Sequence, residues 1–509
     1  MSRMRDRLTR NYRLNIFNNA VSGVMLFTLI GKLLGFLREL VLAHFFGASN
    51  VTDAYLISQT IPGTLFQIVG TGISTCFVPI YLRLKNKGES DEFIQFTNRF
   101  ITMILFVTIL LIFFTLMFTE PIVKMFAMGF EQETLKLAVD FTRISVISLV
   151  ASAFVYVYTA LLNAEKKFIP AAFGVIPYNA GLLLAIIIGA EWNIYGLSLV
   201  SALAVIGQLM YQLYHVNSIP YKFILDIHLY DENIKSALKM LPPVLLGVAA
   251  AEINILVDRT LASAVVVGGI TVVTYGTSLF NMVIGIFSQS ISSVYYPVIS
   301  QAVIEDDKDK LELTIKKAVE MAMFFLIPLT FGAIIMAKPI VMILFKHGDF
   351  SLESVNLVAG VFVFYAIGFV FFSLKQILNN VFYAKQETKI PMINTVIGIV
   401  INILGNIVLA PIMGLNGLAI ATSISSVCIA FLLVVCIKKQ LGINPLPKFI
   451  ISIKYVIAAC FMGAVCWLIM QYVNLGLLFT SVISIVIGVI VYFGLTYFFK
   501  VNVVLGRKI

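Results

Sequence analysis

"LIGKLLGFLREL" (residues 29–40) sets Lys32, Arg38 and Glu39 into an otherwise apolar run. In a membrane helix each of these charges would cost several kcal/mol unless it faced protein or water. The rest of the chain decides which environment applies. Of 509 residues, 60% are hydrophobic and 12% charged, and the mean hydropathy is +0.98. Apolar runs of about 20 residues, the length that crosses a bilayer, recur from end to end. They lack the alternation of barrel strands, so the backbone must satisfy itself as helices. The expectation is an all-α integral membrane protein in which the charges of residues 29–40 line a polar route.

About fourteen transmembrane helices are expected, near 15–44, 54–82, 94–118, 135–163, 169–190, 194–216, 236–263, 270–300, 313–336, 354–384, 390–411, 414–437, 452–473 and 476–499. The first is too long for a cleavable signal peptide, and no small-residue cleavage site follows it. The amino-terminal "MSRMRDRLTRNYR" holds five arginines, which places it on the cytoplasmic side. An even number of spans returns the terminal "GRKI" to that side. On this topology only Lys124, Lys136, Lys338 and Lys346 fall in external segments, so the net charge of +10 is chiefly a topology signal and an attraction to anionic lipid. Nucleic-acid binding is not needed to explain it.

The five cysteines lie in spans without metal-ligand spacing, and the four histidines are scattered. No phosphate loop, zinc-protease motif or nucleophile elbow occurs, so no cofactor and no enzymatic activity are expected.

The sequence repeats itself. "FVPIYLRLKNKGESDE" (residues 77–92) resembles "YYPVISQAVIEDDKDK" (residues 295–310), with Pro79 over Pro297. Pro121 falls over Pro339, Pro170 over Pro391 and Gly196 over Gly417. Spans 1–6 and 7–12 thus read as two six-helix lobes of the same orientation, related by a pseudo-two-fold axis along the membrane normal. The expected divisions are 1–217, 218–438 and 439–509, the last holding two helices without counterpart.

Lys32 and Glu39 are seven residues apart and share a helix face; Arg38 lies about 100° round, and Asp53 opens the next span. In the second repeat, "AEINILVDRTLAS" again sets an acid and a base, Glu252 and Arg259, seven apart. Asp258 lies close to the position equivalent to Glu39. Arg143 with Asp140, and Lys375, are further charges expected to be buried. Each set has a plain alternative, neutralisation by a neighbour or snorkelling to the interface. The functional reading is a water-filled cavity whose fixed positive charge suits an anionic substrate such as a phosphate or diphosphate.

"GKLLGFLREL", "FFGASNVTDAYLISQTIPGTLF" and "GTGISTCFVPIY" resemble the amino-terminal signature of the MurJ/MviN family, flippases for the peptidoglycan precursor lipid II within the multidrug/oligosaccharidyl-lipid/polysaccharide exporter superfamily. "DRTLAS" and "YGTSLFNMVIGIFSQSISSVYYPVIS" extend the resemblance into the second repeat. It implies two lobes in a V, a cationic cavity for the diphosphate-sugar head group, a groove at the last two helices for the polyprenyl tail, and alternating access without ATP. It also implies the bacterial cytoplasmic membrane, with membrane potential or an ion as the energy source.

Residue by residue, Arg38, Glu39 and Asp53 match family positions of the same charge. Lys32 falls where an Arg is usual. Phe66 and Gln67 replace an Arg pair, Ser278 replaces a cavity Arg and Asn281 a common acid. Lys lacks the planar fork that holds phosphate bidentately, so this cavity has fewer strong phosphate ligands. The expected substrate-contacting set is Lys32, Arg38, Glu39, Asp53, Glu252, Arg259, Ser278 and Asn281. Three functions stay open: a lipid II flippase, a flippase for another undecaprenyl-diphosphate-linked unit of exopolysaccharide, O-antigen or teichuronic type, and a multidrug or cation antiporter. Lys32, Arg38 and the two additional helices weigh against the antiporter; a non-transporting scaffold leaves the buried charges without a use.

Overall fold

The computed structural model describes residues 2–87, 92–228 and 231–499; within them, the side chains of 2–22, 68–69, 74, 240–247 and 250 fall outside the description. The amino-terminal arginine side chains and the terminal "GRKI" therefore lie outside the described residues. Every regular element among those described is helical. In chain order these are α1 (Ser2–Phe46), α2 (Asn50–Asn86), α3 (Glu92–Met117), α4 (Thr119–Phe126), α5 (Gln132–Ser145), α6 (Leu149–Ala164), α7 (Phe168–Phe173), α8 (Val175–Glu191) and α9 (Ile194–Val216). There follow α10 (Glu232–Val265), α11 (Gly269–Ile304), α12 (Lys308–Phe345), α13 (Leu352–Ala366), α14 (Phe369–Ala384), α15 (Lys389–Met413), α16 (Leu415–Leu441), α17 (Phe449–Tyr472) and α18 (Leu477–Phe498).

Each expected span coincides with one helix or two consecutive ones. Among the described residues eleven helical stretches, with α5–α6 and α7–α8 counted as one each, are long and apolar enough to cross a membrane, or twelve if α13 and α14, bent by 44°, make one span. The expected count of fourteen is thus not reached; α1 and α10, over the first and seventh expected spans, include residues whose side chains are not described.

The chain divides into two compact units, residues 1–253 and 254–509. In the first, α2 packs against α3, α5 and α6, α8 pairs with α9, and α1 lies along α7 and α8. In the second, α11 packs against α12, α13 and α14, and α15 pairs with α16. The same neighbours recur around equivalent helices, which is the internal repeat expressed as packing. Both units break their fourth expected span: a 3-10 turn at Val146–Ser148 separates α5 from α6, and Ile367–Gly368 separate α13 from α14. The close α15–α16 hairpin needs Gly417, because a Cβ there would come within 2.3 Å of the Leu409 carbonyl oxygen. Its counterpart Gly196 lets α9 approach Ile188 on α8, where a Cβ would meet a methyl at 2.8 Å.

Lipid is as apolar as leucine, so these helices associate through close packing and internal hydrogen bonds. The first unit is knit by Phe77, which stacks on Tyr81 and Phe96 and meets Phe100 at 5.3 Å. In the second, Phe324 of α12 packs on Tyr455 of α17 and Tyr492 of α18, seating the two unrepeated helices.

The long polar connection ahead of α10 is strapped to α3. Arg99 donates from Nε to Asp226 and from Nη1 to Asp231, each at 2.8 Å, and Tyr221 donates to Asn98 at 2.8 Å. The His228 backbone N–H, the His228 ring and Arg99 hold the Asp226 carboxyl down to about 2. Leu229 and Tyr230 lie outside the described residues.

Candidate functional site

In the first unit the opening charges sit on α1. Lys32 is exposed, while Arg38 and Glu39 are half-buried. Arg38 Nη2 stands 3.9 Å from Glu39 Oε1, an ion pair too long to be a hydrogen bond. Arg38 is also within electrostatic reach of Tyr55 on α2 and Tyr178 on α8. Tyr55 is fixed in turn by a 2.9 Å hydrogen bond with Ser201. Asp53 is buried in the first turn of α2, where unsatisfied backbone N–H groups favour a negative charge. Ser49 caps that turn, accepting from the Thr52 N–H. The structure therefore brings Arg38, Glu39 and the Tyr55 hydroxyl into one neighbourhood, as the sequence spacing suggests for the first two.

Glu252 belongs to this unit as well. It accepts a 2.7 Å hydrogen bond from Thr64 of α2. Nothing in the sequence spacing indicates that partner. Phe66 is buried against Tyr156 with ring centroids 5.1 Å apart, and Gln67 is exposed beside it.

In the second unit, Asp258 and Arg259 are adjacent on α10 but turn to different helices. Asp258 accepts from Asn406 of α15 at 2.6 Å; Asn406 bonds Asn402 at 3.0 Å, and Asn402 donates to Thr422 of α16 at 2.9 Å. Arg259 donates to the Thr274 hydroxyl and, at 3.4 Å, to the Ile270 carbonyl, both on α11. Ser278, one turn further along α11, is half-buried and Asn281 is exposed. The Asn402–Asn406–Thr422 chain was not anticipated. Its signal was two asparagines four apart in an apolar span, a spacing that puts both amides on one helix face.

Two expectations change. Arg143 and Asp140 are not buried: the Arg143 side chain is 54% exposed and stands 3.9 Å from a half-buried Asp140. The reason is the rotation of α5, which packs Ala138, Phe141 and Thr142 inward and leaves Arg143 outside. Lys375 is half-buried, with its ammonium over the Phe372 ring at 5.9 Å, within cation–π reach.

A cavity of about 390 Å³ opens in the second unit among α11, α12, α17 and α18. Val283, Phe287, Leu329, Met336, Ile485 and Val489 are among its lining residues. The polar atoms at its wall are consumed internally: Tyr492 donates to the Phe324 carbonyl at 2.7 Å and Cys466 to the Ser484 carbonyl at 3.3 Å. Its size is that of a small-molecule pocket, roughly 300–1,000 Å³, and its chemistry accepts hydrocarbon.

The family model described as "Lipid II flippase MurJ" matches residues 42–488. A probable lipid II flippase MurJ of Buchnera aphidicola subsp. Acyrthosiphon pisum is 27% identical over 505 residues, 96% of this chain and 98% of that protein. One of Aquifex aeolicus is 28% identical over 448 residues, 86% of each chain. Among solved structures, a lipid II flippase MurJ in an inward closed conformation superposes with a TM-score of 0.82 at 23% identity, covering 94% of this chain and 99% of its own. An inward-facing multidrug transporter of the MATE family gives 0.70 at 14% identity, covering 81% and 94%. At such identities the structural likenesses speak to the fold alone.

Proposed function

The chain belongs to the lipid II flippase MurJ family, and from that membership we propose that it moves an undecaprenyl-diphosphate-linked glycan, lipid II for peptidoglycan synthesis, across the bacterial cytoplasmic membrane. The family match over residues 42–488 carries this reading. The chain acts as a multi-pass transporter with both termini cytoplasmic, and its site opens alternately to the two membrane faces with no covalent step.

Within this reading, residues 1–217 and 218–438 are the two lobes and 439–509 supplies the lipid-tail helices. Lys32 and Arg38 hold the diphosphate, while Glu39 and Asp53 set the orientation and charge balance of Arg38. An ion pair at 3.9 Å supports this role, because no Arg38–Glu39 hydrogen bond has to break for the guanidinium to turn to phosphate. Arg259 is the corresponding cation of α10, near Ser278 and Asn281, and Glu252 is the acid one face-turn below it. The apolar cavity at α12, α17 and α18 supports a place for the polyprenyl tail.

A second reading is a flippase for a different undecaprenyl-linked glycan. The neutral residues Gln67, Ser278 and Asn281 favour it, since they offer hydrogen bonds in place of charge. Depletion of the protein in its host, followed by lipid extraction, separates the two. Accumulation of lipid II on the cytoplasmic side supports the first, and accumulation of another undecaprenyl-diphosphate glycan with lipid II unchanged replaces it with the second.

A further inference from the structure

α2 carries no charged residue between Asp53 and Arg83, yet one of its faces is polar and open. Thr60, Thr64, Gln67, Thr71 and Thr75 recur at intervals of three and four, which places all five on one side of the helix. Gln67 and Thr75 are exposed, and the other three are half-buried. The opposite side is core: Phe66, Ile73, Phe77 and Ile80 are buried in the first unit's aromatic cluster. The hydroxyls of Thr60, Thr71 and Thr75 satisfy themselves on the helix's own carbonyls, but an exposed Gln67 amide at membrane depth is costly against lipid and is expected against water or a polar ligand.

The hydrogen bonds within the row define what it can still do. Thr60 donates to the Leu56 carbonyl at 2.7 Å, Thr71 to Gln67 at 2.9 Å and Thr75 to Thr71 at 2.9 Å. Thr64 donates to Glu252. The hydroxyl protons are thus committed, three to the helix backbone and that of Thr64 to Glu252, and the oxygen lone pairs remain as acceptors. Gln67 adds an amide that both donates and accepts. Such a face welcomes hydroxyl and acetamido groups. It offers a carboxylate no cation, and Glu252 beside Thr64 would repel one.

The second unit presents the same character by itself. α11 has no charged residue from Gly269 to Ile304. Its exposed Asn281, Gln289, Ser293 and Tyr296 fall within about a third of the helix circumference. The neighbouring Ser288 and Ser292 are instead buried and bonded to Gln376 and Asn380 of α14 at 2.8 and 2.6 Å.

We propose that the Thr60–Thr64–Gln67–Thr71–Thr75 face of α2 binds the carbohydrate of the transported head group through neutral hydrogen bonds, and that charged substituents on the sugar are not read by it. This rests on the flippase reading above and specifies what part of the substrate selects. Cations on α1 then serve the diphosphate, and α2 serves the sugar.

The test uses the full chain in liposomes with three probes: a polyprenyl-diphosphate disaccharide bearing a peptide, the same disaccharide without peptide, and the sugar-free polyprenyl diphosphate. The two glycans are expected to cross at rates within about threefold of each other. Gln67→Leu with Thr71→Val, close to the parent in volume, is expected to slow both glycans at least tenfold and to leave the sugar-free probe unchanged. Thr75→Val alone gives a smaller loss of the same pattern, and guards against a double variant that fails to fold. Unaltered glycan rates in folded variants overturn the proposal, as does a peptide-bearing probe that outruns its peptide-free twin tenfold. If none of the three probes crosses in the parent protein, the flippase reading falls and takes this inference with it.

Discussion

On the proposed function, Arg38 is the residue that meets the diphosphate. A guanidinium keeps its charge at any physiological pH, and its fork matches two phosphate oxygens at once. Its half-buried position costs solvation, offset by the Glu39 carboxylate at 3.9 Å. In that role Arg38→Ala is expected to abolish transport, by roughly a hundredfold or more, while leaving expression near the parent level, since no Arg38–Glu39 hydrogen bond is lost. Arg38→Lys should keep part of the rate. Transport rates and the yield of folded protein check both; loss of folding in Arg38→Ala, restored by adding Glu39→Ala, would make the pair structural. The pair was legible because the two residues are sequence neighbours among apolar ones. The tie from Glu252 to Thr64 was not, since it joins residues 188 apart and depends on the rotation of α10. Arg143 was misread for the same reason: composition places a charge in a span, and only packing says which side of the helix it takes.

At the scale of elements, the strap over α3 is a pH-sensitive part. The Asp226 carboxyl titrates near 2, below its ordinary value of 3.8, so its contribution is present above about pH 4. As pH falls from about 4 through 2, the native carboxyl takes up a proton and that contribution is lost. Hydrogen exchange over residues 219–228 should be slow at pH 5 and faster at pH 2.5 after correction for intrinsic rates. Arg99→Ala should raise exchange there already at pH 7. Equal protection in parent and variant would contradict the strap. In the first unit's core, Phe77→Ala removes an aromatic ring that touches Tyr81, Phe96 and Phe100, at a cost of about 3–5 kcal/mol. A thermal melt in detergent should register it; a melting temperature equal to the parent's would show that the cluster is not the anchor of α2 and α3. Helix positions were readable almost throughout, because apolar runs and proline or glycine punctuation act locally. The breaks at 146–148 and 367–368 were not readable, because no proline marks either and the bend follows from packing.

For the whole molecule, the duplication was visible in proline and glycine registers and reappears as equivalent helix neighbours in the two units. Apolar runs read as fourteen crossings, and among the described residues eleven or twelve pass as spans by length and hydropathy. The substrate is the least local property of all. It rests on the family match and on a few side chains, of which Lys32, Gln67, Ser278 and Asn281 differ from what the family resemblance implies. The most direct measurement places the purified protein in liposomes with a fluorescent lipid II in one leaflet and follows its appearance in the other without ATP. The account predicts transfer that depends on the protein, that is lost in Arg38→Ala and that needs no nucleotide. Transfer only with ATP, or movement of amphipathic cations while every polyprenyl-diphosphate glycan stays in its leaflet, would contradict it.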